Sequence, residues 1–438
     1  MAVPALALLL LLIASPAQAQ SNGEGSIYSR FGLGTLLEFS SSRSQALGGG
    51  GYALRSLNYN PGANPALWSD QVFTRLSASA AYRSTSTEDG RGNSDQLASG
   101  NIQAIKFNFP ISERTLGVAL SFQPYSRTNY TVIQSGAVPF GPRQETEAPY
   151  EVKFTGSGGL HQLHGGLGYR VNEVLSVGAS ANFIFGILES QRRTTFEESA
   201  QGLRNVVVSD GTRLSGLTGT LGAHLTLADV FAPDDALSIG ASATLPAVLT
   251  GEQFRTLDED LARDTLATRD GQVTVPWQGR LGVAYQPNAR WTFTADGLFE
   301  PWSAFSSTFP PGGPETAPIQ FPVGGDQTLV DRWRVSTGVE VVPAGDSDIA
   351  GYFAQSAYRI GGYVERMYVR PVGGTDLHVF AVTAGVSLPT SLSGTRIDVN
   401  TTAGVRGMAS RSLVRDTFFG VSLNVNFGER WFQRRKFR

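Results

Sequence analysis

The 438-residue chain contains no cysteine, which excludes a disulfide-stapled scaffold and a lipid carried on a first cysteine. Four histidines with no cysteine leave little from which to build a transition-metal site. Charge is also scarce. Charged residues are 16% of the chain, against about 25% in soluble domains. A formal net charge of -2 offers no basic surface to nucleic acid. Beyond the first twenty residues no apolar run is long enough for a spanning helix. There is no G-x-S-x-G elbow, and the glycine run Gly48–Gly51 lacks the Lys-Ser/Thr of a phosphate loop. His161 and His164 stand three apart, which on a strand puts them on opposite faces. Neither an enzyme nor a cofactor is expected.

The chain opens "MAVPALALLLLLIASPAQAQ". An apolar core from Ala5 to Ala14, then Pro16 and the small-residue triplet ending at Ala19, predicts a secretory signal over residues 1–19. It departs from the usual pattern in having no Lys or Arg ahead of that core. Glycine is abundant, at 51 residues. An exported, weakly charged, glycine-rich chain without a spanning helix is either a soluble β protein or a membrane β-barrel.

Alternation dominates the rest. In "DTFFGVSLNVNF", Phe419, Val421, Leu423, Val425 and Phe427 alternate with small or polar residues, so one strand face is apolar and the other polar. "RWTFTADGLFE", "DRWRVSTGVEV" and "TRIDVNTTAGVR" repeat the pattern. Alternation alone fits a sandwich or a barrel. We read about fourteen strands, an even number as bacterial barrels require. They begin near Val72, Ile102, Leu116, Leu160, Ser176, Gly216, Ala236, Gly279, Trp291, Asp331, Gly351, Asp376, Gly394 and Asp416. Apart from the join around Ser410, the predicted joins alternate between short ones, of roughly five to nine residues, and long ones, of roughly seventeen to thirty-five, as membrane barrels do and sandwiches do not. In the long join after Thr250, Phe254, Leu257 and Leu261 recur at helical spacing, predicting a short amphipathic helix. The barrel is expected to be assigned to residues 71–427.

Two stretches then carry a resemblance. "SIYSRFGLGTLLEFSSSRSQALGGGGYALRSLNYNPGANPAL" contains Arg43, Leu47, Gly48, Gly49, Gly50 and Asn64-Pro65-Ala66. "GRLGVAYQPNARWTFTADGLFEPWSAF" contains Asp296 and Trp302. Together they resemble the FadL-type outer-membrane transport family for hydrophobic compounds, with an opening and an ending similar to a Bacteroidetes-type branch. The resemblance implies an all-β transmembrane antiparallel barrel of fourteen strands in the cell outer membrane. It also implies that residues 20–70 fold into the lumen as a hatch, the alternative being a tail that ends in a turn. Gly48, Gly49, Gly50, Gly51, Asn64, Pro65 and Ala66 would be its gating corner. The inward-facing charges Arg280, Asp296, Glu300, Arg332, Arg334, Glu340, Arg396, Asp398 and Arg406 would form a network that braces the wall and docks the hatch. Alternatively, through Arg332, Arg334 and Arg396, they would form a site for a ligand's polar head. Phe31, Leu33, Leu36, Leu37, Phe39 and Leu54 would line its tail's path or simply pack the plug against the wall.

The implied function is passive uptake of hydrophobic or amphipathic molecules such as long-chain fatty acids. The alternative is a scaffold or shuttle barrel of a protein secretion system. Expected partners are membrane lipid, a hydrophobic ligand and the barrel-assembly machinery that inserts the chain, with secretion-system proteins under the second reading. Gly420, Leu423, Val425 and Phe427 resemble the barrel-insertion signal, and residues 428–438 form a basic tail beyond it.

Overall fold

The computed structural model describes residues 25–140, 146–196, 204–259, 262–309, 328–345, 347, 349–370, 375–392, 394–410 and 413–430. The signal segment, Leu261 and most of the basic tail lie outside the described residues. Fourteen antiparallel strands close on themselves. In chain order they are β1 (Thr74–Glu88), β2 (Ser94–Ser112), β3 (Leu116–Pro124 and Tyr130–Phe140), β4 (Thr146–Arg170), β5 (Leu175–Phe196), β6 (Val206–Ala228) and β7 (Ala236–Thr244 and Ala247–Glu259). There follow β8 (Ala262–Val275 and Gln278–Asn288), β9 (Trp291–Glu300), β10 (Arg332–Val341), β11 (Ala357–Arg366), β12 (His378–Pro389), β13 (Arg396–Gly407) and β14 (Arg415–Glu429). Pairing of β1 with β14, from Thr74↔Glu429 to Glu88↔Arg415, closes the barrel.

The faces are inverted relative to a soluble protein. On β14, Phe419, Val425 and Phe427 point outward and are exposed, while Ser422, Asn424 and Asn426 are buried inside. Leu217 and Leu221 on β6 and Ile360 on β11 continue an apolar outer belt. With the polar face turned inward, this apolar belt is the lipid-facing surface.

The strands overshoot the membrane. A membrane-spanning strand needs about 9–11 residues, whereas β4 has 25 and β6 has 23. The surplus rises at one end as tall hairpins, and toward that end the polarity of the wall reverses. Leu160 on β4, Ile184 on β5, Leu214 on β6, Leu249 on β7 and Val273 on β8 point inward into a buried apolar cluster. Their outward neighbours there include Arg213 and Thr250, both exposed.

Two expectations need correction. The long joins are mostly strand. β1 and β2 are separated by residues 89–93 alone, and Val138 lies within β3. Among the described residues of the helix expected over Phe254, Leu257 and Leu261 the chain is strand instead: Phe254 pairs with Thr268 and Leu257 with Asp264 in the β7–β8 hairpin. Val206–Val208 of β6 pair with the other edge of β7. A ready-made sheet neighbour on each side overrides a local helical spacing, and the Phe254 ring lies over Gly211 of β6.

Candidate functional site

Residues 25–73 lie inside the barrel, entering from the hairpin end and descending to the turn end. At the top, Tyr28 and Leu33 join the apolar cluster. Midway, Thr35–Leu36 pair with Ser126–Arg127, in the break between the two segments of β3. A five-residue helix, α1 (Ser42–Ala46), follows, with a capping box in which Ser41 and Ser44 satisfy each other's backbone and side-chain groups. Arg43 projects from it onto Glu340 of β10 at 2.6 Å. Arg359 of β11 also reaches Glu340, at 2.6 Å, and donates to the Tyr59 hydroxyl at 2.7 Å. Tyr59 in turn donates to Asp398 of β13 at 3.1 Å. These charges are buried, paired and hydrogen-bonded, the condition on which buried ions are tolerated.

Below α1 the segment turns on Gly48, Gly49 and Gly51, all with positive φ, which favours glycine there. Asp296 of β9 accepts from the backbone N–H groups of Gly51 and Tyr52 at 2.8 and 3.0 Å. At the turn end Asn64 caps a 3-10 turn, Pro65–Asp70. Its Nδ2 donates to the carbonyls of Tyr52 and Ala223 at 3.0 and 3.1 Å. The Pro65 backbone rests directly on inward-facing Gly168 and Gly178 of β4 and β5, and the Asn64 side chain and Pro65 ring on Gly222 of β6, where a Cβ would collide. Asp70 anchors this end to Arg55 at 2.6 Å and to Arg170 of β4.

Between the apolar cluster and the charged lumen lies a cavity of about 200 Å³. Leu36, Leu37, Phe39, Met367 and Val379 give it an apolar side, and Glu38, Arg332, Arg334 and Glu365 a charged one. Arg332 is paired to Glu300 at 3.0 Å and to Glu365 at 2.7 Å. Glu38, from the internal segment, approaches Arg280 at 3.5 Å and Arg332 at 3.6 Å. Burial works against its charge, but Arg280, Arg332 and Arg334, with a hydrogen bond from Gln278, outweigh burial and hold the carboxyl below its ordinary range.

The cavity reaches Asn101, Gln103, Arg127 and Asn129 at a break in the wall. β2 and β3 are paired only from Ile105↔Phe122 to Ser112↔Leu116. Above that, among the described residues, β2 pairs with β1 and the second segment of β3 pairs with β4, with no ladder joining β2 to β3. The register shift between Ser79 and Ala80, opposite Ala104 and Ile102, marks where the seam opens. A cleft of about 670 Å³ fills it, lined by Ser99, Gly100, Asn129, Tyr130, Lys153 and Arg193 among others.

Of the residues singled out in the sequence, Leu36, Leu37, Phe39, Arg332 and Arg334 line the cavity. Phe31 packs against the apolar cluster and Leu33 is wholly buried in it. Leu54 packs with Leu47 and Ala284 lower down. Arg396 donates to Ser387 and to the Gln355 carbonyl near the short turns. Gly50 lies against Asp296, and Pro65 and Ala66 form the floor turn. His164 stacks on Trp68 inside while His161 stacks on Phe122, which faces outward, so the two imidazoles face opposite sides. Sequence reasoning missed Glu38, Tyr59, Asp70, Arg359, Glu365 and the glycine floor. A carboxylate inside the apolar "TLLEFS" and glycines at inward strand positions were the available signals.

A closed fourteen-stranded wall, an apolar outer belt and a lumen filled by the chain's own N-terminal segment define a membrane barrel of the FadL-like channel fold. The solved structures sharing it include CymD, a monoaromatic hydrocarbon channel, at TM-score 0.56 and 14% identity over 90% of this chain and 99% of that one. A Pseudomonas aeruginosa FadL homologue matches at TM-score 0.56 and 13% identity, over 90% and 98%. The Pseudomonas putida toluene transporter TodX matches at 0.52 and 15%, over 91% and 99%. At such identities the likeness is one of fold. No curated protein matches the sequence. A family model described as BamG matches residues 1–438, and the chain belongs to the BamG family.

Proposed function

We propose that this protein is an outer-membrane channel for amphipathic small molecules of the long-chain fatty-acid type, exported by a cleaved signal and gated by its N-terminal segment acting as a hatch. One observation carries this reading. The internal cavity sits where the lumen changes from apolar to charged, and it is continuous with a gap in the wall. Such a site fits a molecule with a tail and a polar head, and the gap gives it a lateral route between lumen and bilayer. The toluene and hydrocarbon channels of the same fold agree with a transport role. A ligand opens the path only if it binds the shifted hatch better than the closed one.

The absence of cysteine makes the test clean. Asn426 Nδ2 donates to Ser42 Oγ at 3.1 Å, so the double variant Ser42→Cys/Asn426→Cys ties α1 to the wall. Oxidation is expected to stop uptake of labelled dodecanoate by cells that depend on this protein for it, and reductant to restore it. Uptake unaffected by the lock would overturn the gating reading.

A second reading is a scaffold that holds partner proteins. The family name, BamG, points to barrel assembly, and the tall polar hairpins offer docking surface. Stoichiometric co-purification of a partner that is lost when residues 130–156 are shortened, with dodecanoate uptake unchanged, would favour it.

A further inference from the structure

Glu38 is the acid that the internal segment contributes to the arginine cluster beside the cavity, and it is held differently from the wall's own acids. Arg332 meets Glu300 and Glu365 at 3.0 and 2.7 Å, whereas Glu38 stands at 3.5 and 3.6 Å from Arg280 and Arg332. Among the described residues it accepts one hydrogen bond, from Gln278 at 2.9 Å. The cluster also has donors to spare. Among the described residues the buried Nε atoms of Arg280 and Arg334 have no hydrogen-bond partner, although each is a donor of the kind that prefers a carboxylate. Three guanidinium groups thus face two firmly paired wall carboxylates and one loosely held carboxylate from the segment beside them. Replacing that third carboxylate by another monoanion leaves the charge of the cluster unchanged. The other anchors of the segment, at Arg43, Gly51 and Asn64, lie below this point and do not depend on it.

We propose that Glu38 is an internal stand-in for the ligand's anionic head: a carboxylate entering the cavity takes its place at Arg280, Arg332 and Arg334, and in doing so frees the Leu36–Phe39 stretch from the wall. The inference rests on the channel reading above and names the chemistry that opens it. A neutral amphiphile of the same length fills the apolar side of the cavity but has no claim on the arginines, so it leaves the segment in place. Leu37 and Phe39 flank the displaced carboxylate, and Thr35–Leu36 are paired with Ser126–Arg127, between the two segments of β3 at the lower edge of the wall gap. Loss of the Glu38 contact therefore loosens the element that abuts the lateral opening.

The experiment compares dodecanoate with dodecanol, binding each to the purified full chain in neutral detergent by titration calorimetry. If Glu38 competes with the ligand head, Glu38→Gln binds dodecanoate about tenfold more tightly than the native protein, a difference of about 1.4 kcal/mol, and dodecanol with unchanged affinity. Glu38→Asp, which keeps the carboxylate, stays near native for both. The native protein supplies a second readout that needs no variant: saturating dodecanoate raises amide exchange across residues 36–39, and dodecanol does not. Equal shifts for both probes in Glu38→Gln, or exchange unmoved by dodecanoate that is bound, would overturn the proposal while leaving the channel reading intact. Failure of either probe to bind native protein and Glu38→Gln alike would overturn both.

Discussion

The turn-end half of the barrel and its hairpin-end half are built from the same strands with opposite rules. In the lower half Leu217 of β6 points outward at 65% exposure, while Thr218, Thr220 and His224 of the same strand are buried inside. A few residues higher Leu214 is buried inside and Arg213 is exposed outside. Each level of the wall puts its apolar side chains toward whatever is least like water there: lipid below, the chain's own interior above. The internal segment follows the same division. Its upper residues, Tyr28 and Leu33, are core, and its lower ones, Arg43, Tyr59 and Asn64, are polar anchors. The cavity falls at the crossover because neither rule fills space well where they meet.

The comparison breaks most sharply at the lower ion cluster. Arg359→Ala leaves Glu340 and Asp398 buried with a missing cation, and losing one member of a buried pair costs about 3–5 kcal/mol. The expected outcome is a fall of that size in the local opening free energy of residues 42–59, read by amide exchange in detergent. A barrel whose exchange there is unchanged would show that the lower lumen is not held by these charges. Leu160→Ala, in the upper interior, is next. A fully buried leucine truncated to alanine costs about 2–5 kcal/mol, and here the loss should appear in the hairpin end and around Tyr28 while residues 42–59 keep their protection. Leu217→Arg tests the outside. An arginine at bilayer depth on the lipid face costs about 2–4 kcal/mol, measurable by urea unfolding in lipid bilayers, whereas Leu217→Gln is expected to cost less. Arg213 already stands outside four residues higher, and Arg213→Leu should leave stability within about 0.5 kcal/mol.

That division also explains what the sequence made legible. Most strands starting at the turn end were read almost in place: Leu116, Ala236 and Trp291 begin β3, β7 and β9 as expected, and Ser176 stands one residue from the start of β5. β11, however, starts at Ala357, six residues after the expected Gly351, because Tyr352–Gln355 forms a helical turn. Of the strands starting at the hairpin end, four were read late, at Ile102 for Ser94, Leu160 for Thr146, Gly216 for Val206 and Gly279 for Ala262, while Asp331, Asp376 and Asp416 stand within two residues of the starts of β10, β12 and β14. The cause is the crossover. Phe183 faces lipid and Ile184 faces the interior, so the apolar positions shift by one residue and the sequence pattern of a membrane strand ends where the strand only leaves the membrane. The Asn64-Pro65-Ala66 corner was visible because proline restricts its own backbone and its predecessor's. The glycines beneath it were not, since a glycine on a strand shows no partner until the chain that rests on it is placed. The ion cluster was legible as a set of inward charges but not as pairs. Glu38 and Arg280 are separated by most of the barrel in sequence, and nothing local joins them.

The smallest expected effect bears on the crossover itself. Because the arginines hold Glu38 below the ordinary carboxyl pKa of 4.5, its contact with the cluster is fully present above that value. It is lost as pH falls through the depressed folded-state value. Amide exchange of residues 36–39 should therefore be flat from neutral pH down through the ordinary carboxylate range, once corrected for intrinsic rates, and rise only in more acid solution. In Glu38→Gln that late rise should be smaller, whatever the acids of the wall contribute being common to both proteins. A rise already complete near the ordinary carboxyl value would mean that the arginines do not hold Glu38 in its charged form. The segment would then be secured at the crossover by its pairing with Ser126–Arg127 and by the apolar packing above.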